Sequence, residues 1–242
     1  MQPIYAVGDI HGQKTMLEDA LARIDRDGGG RVVFLGDYTD RGPDSCGVVE
    51  LLRNGQNEGR DWITLKGNHD RMFEMFLRDH PANDDRLLVG YHWLHDRIGG
   101  IETLASYGVD VPDGIRIYQV HAQARDAVPR DHLTFLAGLP PYHLENKILF
   151  VHAGIRPGVP LEQQSENDLI WIRNEFLDDP HPHPWLVVHG HTPGRVAEHF
   201  GNRINLDAGA GYGRPLATAV FEGQECWLLT ERGRVPLIPK GR

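Results

Sequence analysis

Short apolar runs that end in a polar cluster recur along the chain. Ile4 to Val7 leads into Gly8-Asp9, Val32 to Leu35 into Gly36-Asp37, and Trp62 to Leu65 into Gly67-Asn68-His69-Asp70. Runs this short and this continuously apolar predict strands buried on both faces. Between the first two, Met16, Leu17, Ala20, Leu21 and Ile24 fall at helical spacing over Lys14 to Ile24. Asp27-Gly28-Gly29-Gly30 then reads as a turn, and Val48 to Arg53 as a second helix. The order β-α-β-α-β implies parallel strands with right-handed crossovers.

From about Arg71 to Leu139 the pattern is more polar and mostly helical, which predicts an insertion of residues 71–139 beside the sheet. Within it, Ile115 to Val120 is strand-like and leads to His121. Strands resume at Ile148 to Val151, before His152-Ala153-Gly154, and at Leu186 to Val188, before His189-Gly190-His191. Arg203 to Leu206, Ala217 to Phe221 and Cys226 to Thr230 follow, the last two around the hairpin signal Glu222-Gly223-Gln224. No Pro-rich, Gly-rich or charged linker divides the chain, so one domain over residues 1–242 is expected.

Composition changes the picture in three ways. The chain has 242 residues, 40% of them hydrophobic, enough to bury a core. Its net charge of -9 repels nucleic-acid phosphate at long range, so a nucleic-acid duplex is not expected as a partner. With two cysteines, no basic leader before an apolar stretch and no run long enough to span a bilayer, a cytoplasmic protein without a membrane partner is expected. The oligomeric state stays open. The 28 glycines and 16 prolines point to many tight loops, where sites are usually built.

Five predicted strands end in polar clusters, and ligands of α/β sheets bind beyond the carboxyl ends of strands. Asp9, His11, Asp37, Asn68, His69, His152 and His191 are therefore expected to converge, with Gly8, Gly12, Gly36, Gly67, Gly154 and Gly190 allowing sharp turns. Oxygen and imidazole donors without thiolate suit Mn, Fe, Zn or Mg. Two metals a few Å apart need a bridging carboxylate, and Asp37, ending a central strand, is the candidate. A hydroxide held by two dications is nucleophilic at neutral pH, so phosphate-ester hydrolysis is the reaction class expected.

Gly8-Asp9-Ile10-His11-Gly12, Gly36-Asp37-Tyr38-Thr39-Asp40-Arg41-Gly42 and Gly67-Asn68-His69-Asp70 resemble the three blocks of the phosphoprotein phosphatase branch of the calcineurin-like metallophosphoesterases. Val151-His152-Ala153-Gly154 and Gly190-His191-Thr192-Pro193 resemble its two later histidine motifs, in family order. The length resembles the small bacterial and phage serine/threonine phosphatases. The resemblance implies an α/β fold with central mixed β-sheets, a β-sandwich, flanked by helices, all in one catalytic domain. It implies two divalent metal ions, with manganese the guess for activity in vitro and Fe, Zn, Ni or Mg as alternatives. Asp9, His11 and Asp37 would hold the first, and Asp37, Asn68, His152 and His191 the second. His69, oriented by Asp40 and kept charged by it, would protonate the leaving group. Arg41 and Arg173 would grip the phosphate. Asp70 replaces the Glu common in eukaryotic members, and Pro193 stands where the wider superfamily often has another histidine. His189 is expected behind the ligands rather than among them.

The resemblance favours a phosphoserine or phosphothreonine protein phosphatase, with a phosphorylated protein or a small phosphate ester as substrate. The alternative is a symmetrical bis(5'-nucleosyl)-tetraphosphate hydrolase, whose members often replace the Asp-Arg that is intact here as Asp40-Arg41. A third reading is a catalytically silent scaffold that binds phosphoproteins; it would need a lost ligand or acid, and His69 and Asp40 are both present. Tyr91, Trp93 and Tyr107 are candidates for a substrate wall or for core. Arg156 could reach phosphate or sit on a loop, and Arg71 is expected to be structural. His181-Pro182-His183-Pro184 reads as an exposed loop, His92 and His95 as packing residues in a helical region, and His121 as structural. Cys46 sits where a helix N-terminus can lower a thiol pKa, with no redox role implied.

Overall fold

The computed structural model describes residues 2–239. The first half runs β1 (Ile4–Val7), α1 (Lys14–Arg26), β2 (Arg31–Phe34), α2 (Ser45–Asn57), β3 (Trp62–Thr64) and α3 (Asn68–Leu77). The insertion carries α4 (Gly100–Ser106), α5 (Ile117–Ala127) and α6 (Arg130–Ala137). The second half runs β4 (Tyr142–Glu145), β5 (Ile148–Val151), α7 (Glu166–Trp171), α8 (Asn174–Leu177), β6 (Leu186–His189), β7 (Glu198–His199) and β8 (Arg203–Asn205). It closes with β9 (Thr218–Glu222), β10 (Glu225–Thr230) and β11 (Gly233–Pro236).

Two mixed sheets result. One has the order β11-β10-β9-β1-β2-β3, the other β4-β5-β6-β8-β7. β1, β2 and β3 are mutually parallel, as are β5, β6 and β8, while the outer strands pair antiparallel. Side-chain alternation explains the layers. Ile4, Ala6, Val33 and Leu35 face the second sheet and pack with Ile148, Phe150, Val188 and Ile204. Tyr5, Val7, Val32 and Phe34 face the other way and pack with Leu17, Leu52 and Phe73 of the helices. Leu149, Val151 and Val187 pack beneath Leu169, Ile170 and Phe176. The architecture is helix, sheet, sheet, helix, the sandwich that the resemblance implied. Strands buried on both faces read as continuous apolar runs for this reason.

Three sequence expectations change. Ile115 to Val120 is not a strand: Ile117–Ala127 forms α5, burying Val120 and Ala124 at helical spacing. The stretch with His92 and His95 is irregular rather than helical. The strands β4 and β11 were not expected; both lie at sheet edges and are only partly buried, so their apolar signal is weak. Among the described residues no helix is long and apolar enough to cross a membrane.

Phe150 and Phe221 meet edge to face across the sandwich, ring centroids 5.6 Å apart, both fully buried. Phe150→Ala should destabilise the fold by about 3–5 kcal/mol, read by denaturant unfolding. A loss under about 1 kcal/mol would mean that the two sheets do not share this core.

Candidate metal centre and active site

Each parallel strand delivers one polar residue just past its carboxyl end. β1, β2 and β3 present Asp9, Asp37 and Asn68; β5, β6 and β8 present His152, His191 and Asp207. All six are buried. Bringing these ends together leaves no room for side chains on the backbone between them. A Cβ on Gly190 would overlap Asp9 Oδ1, and one on Gly67 would overlap Asp37 Oδ1. The turns also force left-handed backbone on non-glycine residues: His11 (φ 47°), Asp37 (53°), Asp40 (73°), Arg41 (68°) and His191 (65°). Such conformations are unfavourable and persist where surrounding structure imposes them, commonly at functional sites.

Asp70 sets the position of this turn. Its carboxylate accepts the backbone N–H groups of Asp37 (2.8 Å), Tyr38 (2.8 Å) and Gly67 (3.0 Å), tying the β2 and β3 ends together. Asp37 then stands between two imidazoles. His11 Nε2 is 3.5 Å from Asp37 Oδ2 and His152 Nε2 is 3.3 Å from Asp37 Oδ1. Both rings are fixed from behind by backbone carbonyls: His11 Nδ1 lies 2.8 Å from Thr39 O, His152 Nδ1 3.0 Å from Leu35 O. Such a bond orients a ligating imidazole and leaves Nε2 for a metal. The Asn68 amide oxygen lies 3.0 Å from His152 Nε2 and 2.8 Å from His191 Nδ1. Asp9 Oδ2 accepts the His191 N–H at 2.9 Å, while Oδ1 has no partner.

The donor set fits divalent cations. Donor atoms of His11, Asp37 and His69 cluster within 4.8 Å of one another, as do those of Asp37, His152 and His191, so Asp37 is common to both groups. Burial, reinforced by Asp207 and Asp37, raises the Asp9 carboxyl well above its usual range, and burial pushes Asp37 up to about 7. Burial also lowers His152 to about 4 and His11 well below the usual imidazole range, so both are neutral, as ligation requires. Crowded buried carboxylates with an unpartnered oxygen are stabilised by dications.

Beside this cluster, His69 Nδ1 is 2.6 Å from Asp40 Oδ2. Asp40 is itself enclosed: Trp93 Nε1 donates at 3.0 Å and Thr103 Oγ1 at 2.7 Å. The surroundings that the protein itself provides oppose the charge that the sequence suggested for His69. Burial and the facing Arg41 guanidinium drive it well below its ordinary pKa, toward neutral. Arg41 bonds His11 Nε2 at 2.5 Å and His69 Nε2 at 2.9 Å, and its guanidinium stacks over Tyr212 at 5.1 Å. Arg173 reaches Thr192 Oγ1 at 3.2 Å. A cavity of about 850 Å³ opens over Asp37, His69 and His191, with Arg41, Arg173 and Tyr212 in its walls.

The remaining expected residues lie elsewhere. Arg156 forms a two-pronged pair with Asp168, at 3.1 and 2.8 Å, away from this cavity. Arg71 binds Asp84 and Asn167, a structural role as expected. His189 points to the far side, edge on to Phe176, with Nδ1 on the Gly190 carbonyl and Nε2 3.3 Å from Arg203. The 181–184 loop is largely exposed, and His121 caps the Arg78 carbonyl at 2.9 Å. Of the three aromatics, Tyr91 borders the cavity, Trp93 holds Asp40, and Tyr107 bonds His132 at 2.9 Å. Cys46 is raised by burial and the Asp44 and Glu50 charges, opposite to a helix N-terminal effect. Sequence reasoning missed Asp207, Tyr212 and Thr103. Asp207 had a signal: it follows the apolar Ile204 and precedes Gly209, the same strand-end pattern as the other five.

The chain belongs to the calcineurin-like phosphoesterase family, whose model matches residues 2–221. It is 24% identical to the asymmetrical bis(5'-nucleosyl)-tetraphosphatase PrpE of Bacillus mycoides (strain KBAB4), over 97% of this chain and 96% of that protein. Among solved structures, one described provisionally as a diadenosine tetraphosphatase superposes with a TM-score of 0.64 at 24% identity, covering 98% of this chain and 94% of the other. A cold-active protein-tyrosine phosphatase of a psychrophilic Shewanella species gives 0.63 at 17% identity, covering 98% and 81%.

Two outcomes follow from the geometry. Gly190→Ala should displace Asp9 and lower metal content measured by elemental analysis; full metal content in the folded variant would separate Asp9 from the metal centre. Because Asp37 is raised to about 7, it holds a proton below that pH, and a cation must displace it. Metal affinity should therefore rise as pH rises through about 7, with protons released on binding. Calorimetry in buffers of different ionisation enthalpy reads both, and a pH-independent affinity would contradict the assignment.

Proposed function

We propose that this single catalytic domain hydrolyses dinucleoside polyphosphates in the cytoplasm, by cleaving a phosphoric anhydride at a dinuclear metal site. The cavity carries this reading. At about 850 Å³, with arginines and tyrosines in its walls, it has room for a nucleotide-sized ligand beside the metal residues. The similarity to proteins named as tetraphosphatases supports it.

In this reading Asp9, His11 and Asp37 would hold one cation and Asp37, Asn68, His152 and His191 the other, with manganese as the first metal to test. When bound, such cations neutralise the carboxylates and lower the pKa of water. Asp70 keeps Asp37 in place by its three N–H contacts. Arg41 swings from the imidazoles onto phosphate oxygens, joined by Arg173 from the opposite wall. That movement removes the positive charge facing His69. His69 Nε2, released by Arg41, then faces the departing oxygen and can pass it a proton taken up from solvent where the leaving group needs one, with Asp40 holding Nδ1.

The buried Asp40–His69 pair favours a second reading, a phosphoserine or phosphothreonine phosphatase. An alkoxide is a poor leaving group and needs a proton, whereas a nucleotide phosphate leaves without one. The two readings separate in one experiment. Mn-dependent turnover of diadenosine tetraphosphate and of a phosphothreonine peptide is measured on one preparation. The expected kcat/KM is higher on the dinucleotide by about tenfold or more, with ATP and AMP as products of an asymmetrical cut. Two ADP would mean a symmetrical cut, and a preference for the peptide would make the protein phosphatase reading correct. His69→Asn should keep its metal and lose about 10²–10⁴-fold on the peptide, with a smaller loss on the dinucleotide. Loss of metal would instead make His69 a ligand.

A further inference from the structure

The cavity gathers more positive charge than one phosphate group uses. Arg41 and Arg173 flank the carboxylates and imidazoles, and Arg86 and Arg97 line the same cavity from the segment before α4. Both are exposed, and among the described residues neither makes a direct ion pair, although the Asp168 charge reaches Arg86 from outside the cavity. Asp85 and Glu175 also border the cavity but do not pair with them. In a chain of net charge -9, most other arginines near acidic groups are paired, as Arg53, Arg71 and Arg156 are. Unpaired arginines around one opening repel each other, and a polyanion relieves that repulsion.

The backbone that carries them is held at three points. Asp84 is buried and accepts Arg71 Nε at 2.8 Å, Trp171 Nε1 at 3.1 Å and the Arg86 backbone N–H at 3.0 Å. Trp93 bonds Asp40 in the middle. At the far end the Gly99 carbonyl accepts the Arg41 N–H at 3.1 Å, and a Cβ on Gly99 would overlap Arg41. The backbone at Arg86 and Arg97 is therefore held, and binding there has mainly the two side chains to order.

We infer that Arg86 and Arg97 form a second anion subsite, which holds the phosphates of a polyphosphate chain beyond the one being cleaved. Guanidinium forks match phosphate oxygens, and a lone phosphomonoester would leave this pair unused. The natural ligand rests on the dinucleoside polyphosphate reading; the subsite itself is a preference for several linked phosphates over one.

The test compares wild type with the Arg86→Ala, Arg97→Ala double variant. Metal-loaded proteins are titrated by calorimetry with inorganic tripolyphosphate and with orthophosphate at the same fixed free Mn, so that chelation affects both proteins equally. The readout is the ratio of the two dissociation constants, in which a general change at the metal centre cancels. The variant should lose about tenfold or more of the tripolyphosphate preference, and the double Lys variant should recover part of it. An unchanged ratio overturns the subsite. So does a loss that is equal for both anions, which would place the arginines at the scissile phosphate or in the fold. If the wild type leaves diadenosine tetraphosphate intact and the ratio still falls in the variant, the substrate reading fails and the subsite stands.

Discussion

Buried carboxylates repel one another, and this chain puts Asp9, Asp37, Asp40, Asp70 and Asp207 at one end of a sandwich with almost no solvent. Without compensation that arrangement would unfold or protonate, and the raised pKa values of all five carry the second tendency. Each neighbouring feature answers the problem in a different way. Asp70 is satisfied by three backbone N–H groups, Asp40 by an indole, a hydroxyl and an imidazole, and Asp37 by the His69 N–H at 3.0 Å. Asp9 keeps one oxygen unpartnered. The carboxylates that the protein satisfies internally support the site, and those it leaves short of donors would face cations.

The same constraint accounts for the backbone. Two sheets can present six strand ends to one small volume only if those ends pass within contact of each other. Glycine at positions 67 and 190 removes the overlap, and left-handed turns at His11, Asp37 and His191 aim the side chains inward. Two other non-glycine residues with positive φ, Asn146 and Lys147, make the tight turn between β4 and β5, where hairpin geometry requires it. The remaining strain is therefore concentrated at the site rather than spread through the fold.

This also explains what was legible in the sequence. Strands buried on both faces wrote continuous apolar runs, and their ends wrote Gly-Asp, Gly-Asn-His and Gly-His, so the parallel strands and the candidate ligands stood out together. Edge strands such as β11 wrote neither. Asp207 carried a weaker form of the same signal, because the run before it, Arg203 to Asn205, is polar at both ends. The charge state of His69 could not be read from Asp40 alone, because burial first, and then the facing Arg41 guanidinium, oppose it, and neither is visible in local spacing. The segment between α3 and α4 sustains no helix despite the helical pattern read across this region; its residues gain roles from tertiary contacts to Asp40, Arg41, Arg71 and Trp171.

In the proposed function that segment would tie substrate selection to catalysis. Trp93 encloses Asp40, and Gly99 seats the Arg41 backbone, so the stretch from Trp93 to Gly99 cannot shift without disturbing the Asp40–His69 pair and Arg41. Its tip is under no such restraint. Leu88 and Val89 are exposed, Val89 completely, and Gly90 lies with φ 85° in open space. Changes of length or sequence at the tip alter the outer cavity wall while the inner contacts hold the chemistry constant. A fold built this way can keep one hydrolytic centre and vary what it admits, which is why the metal residues identify a reaction class and the wall beside them decides the ester.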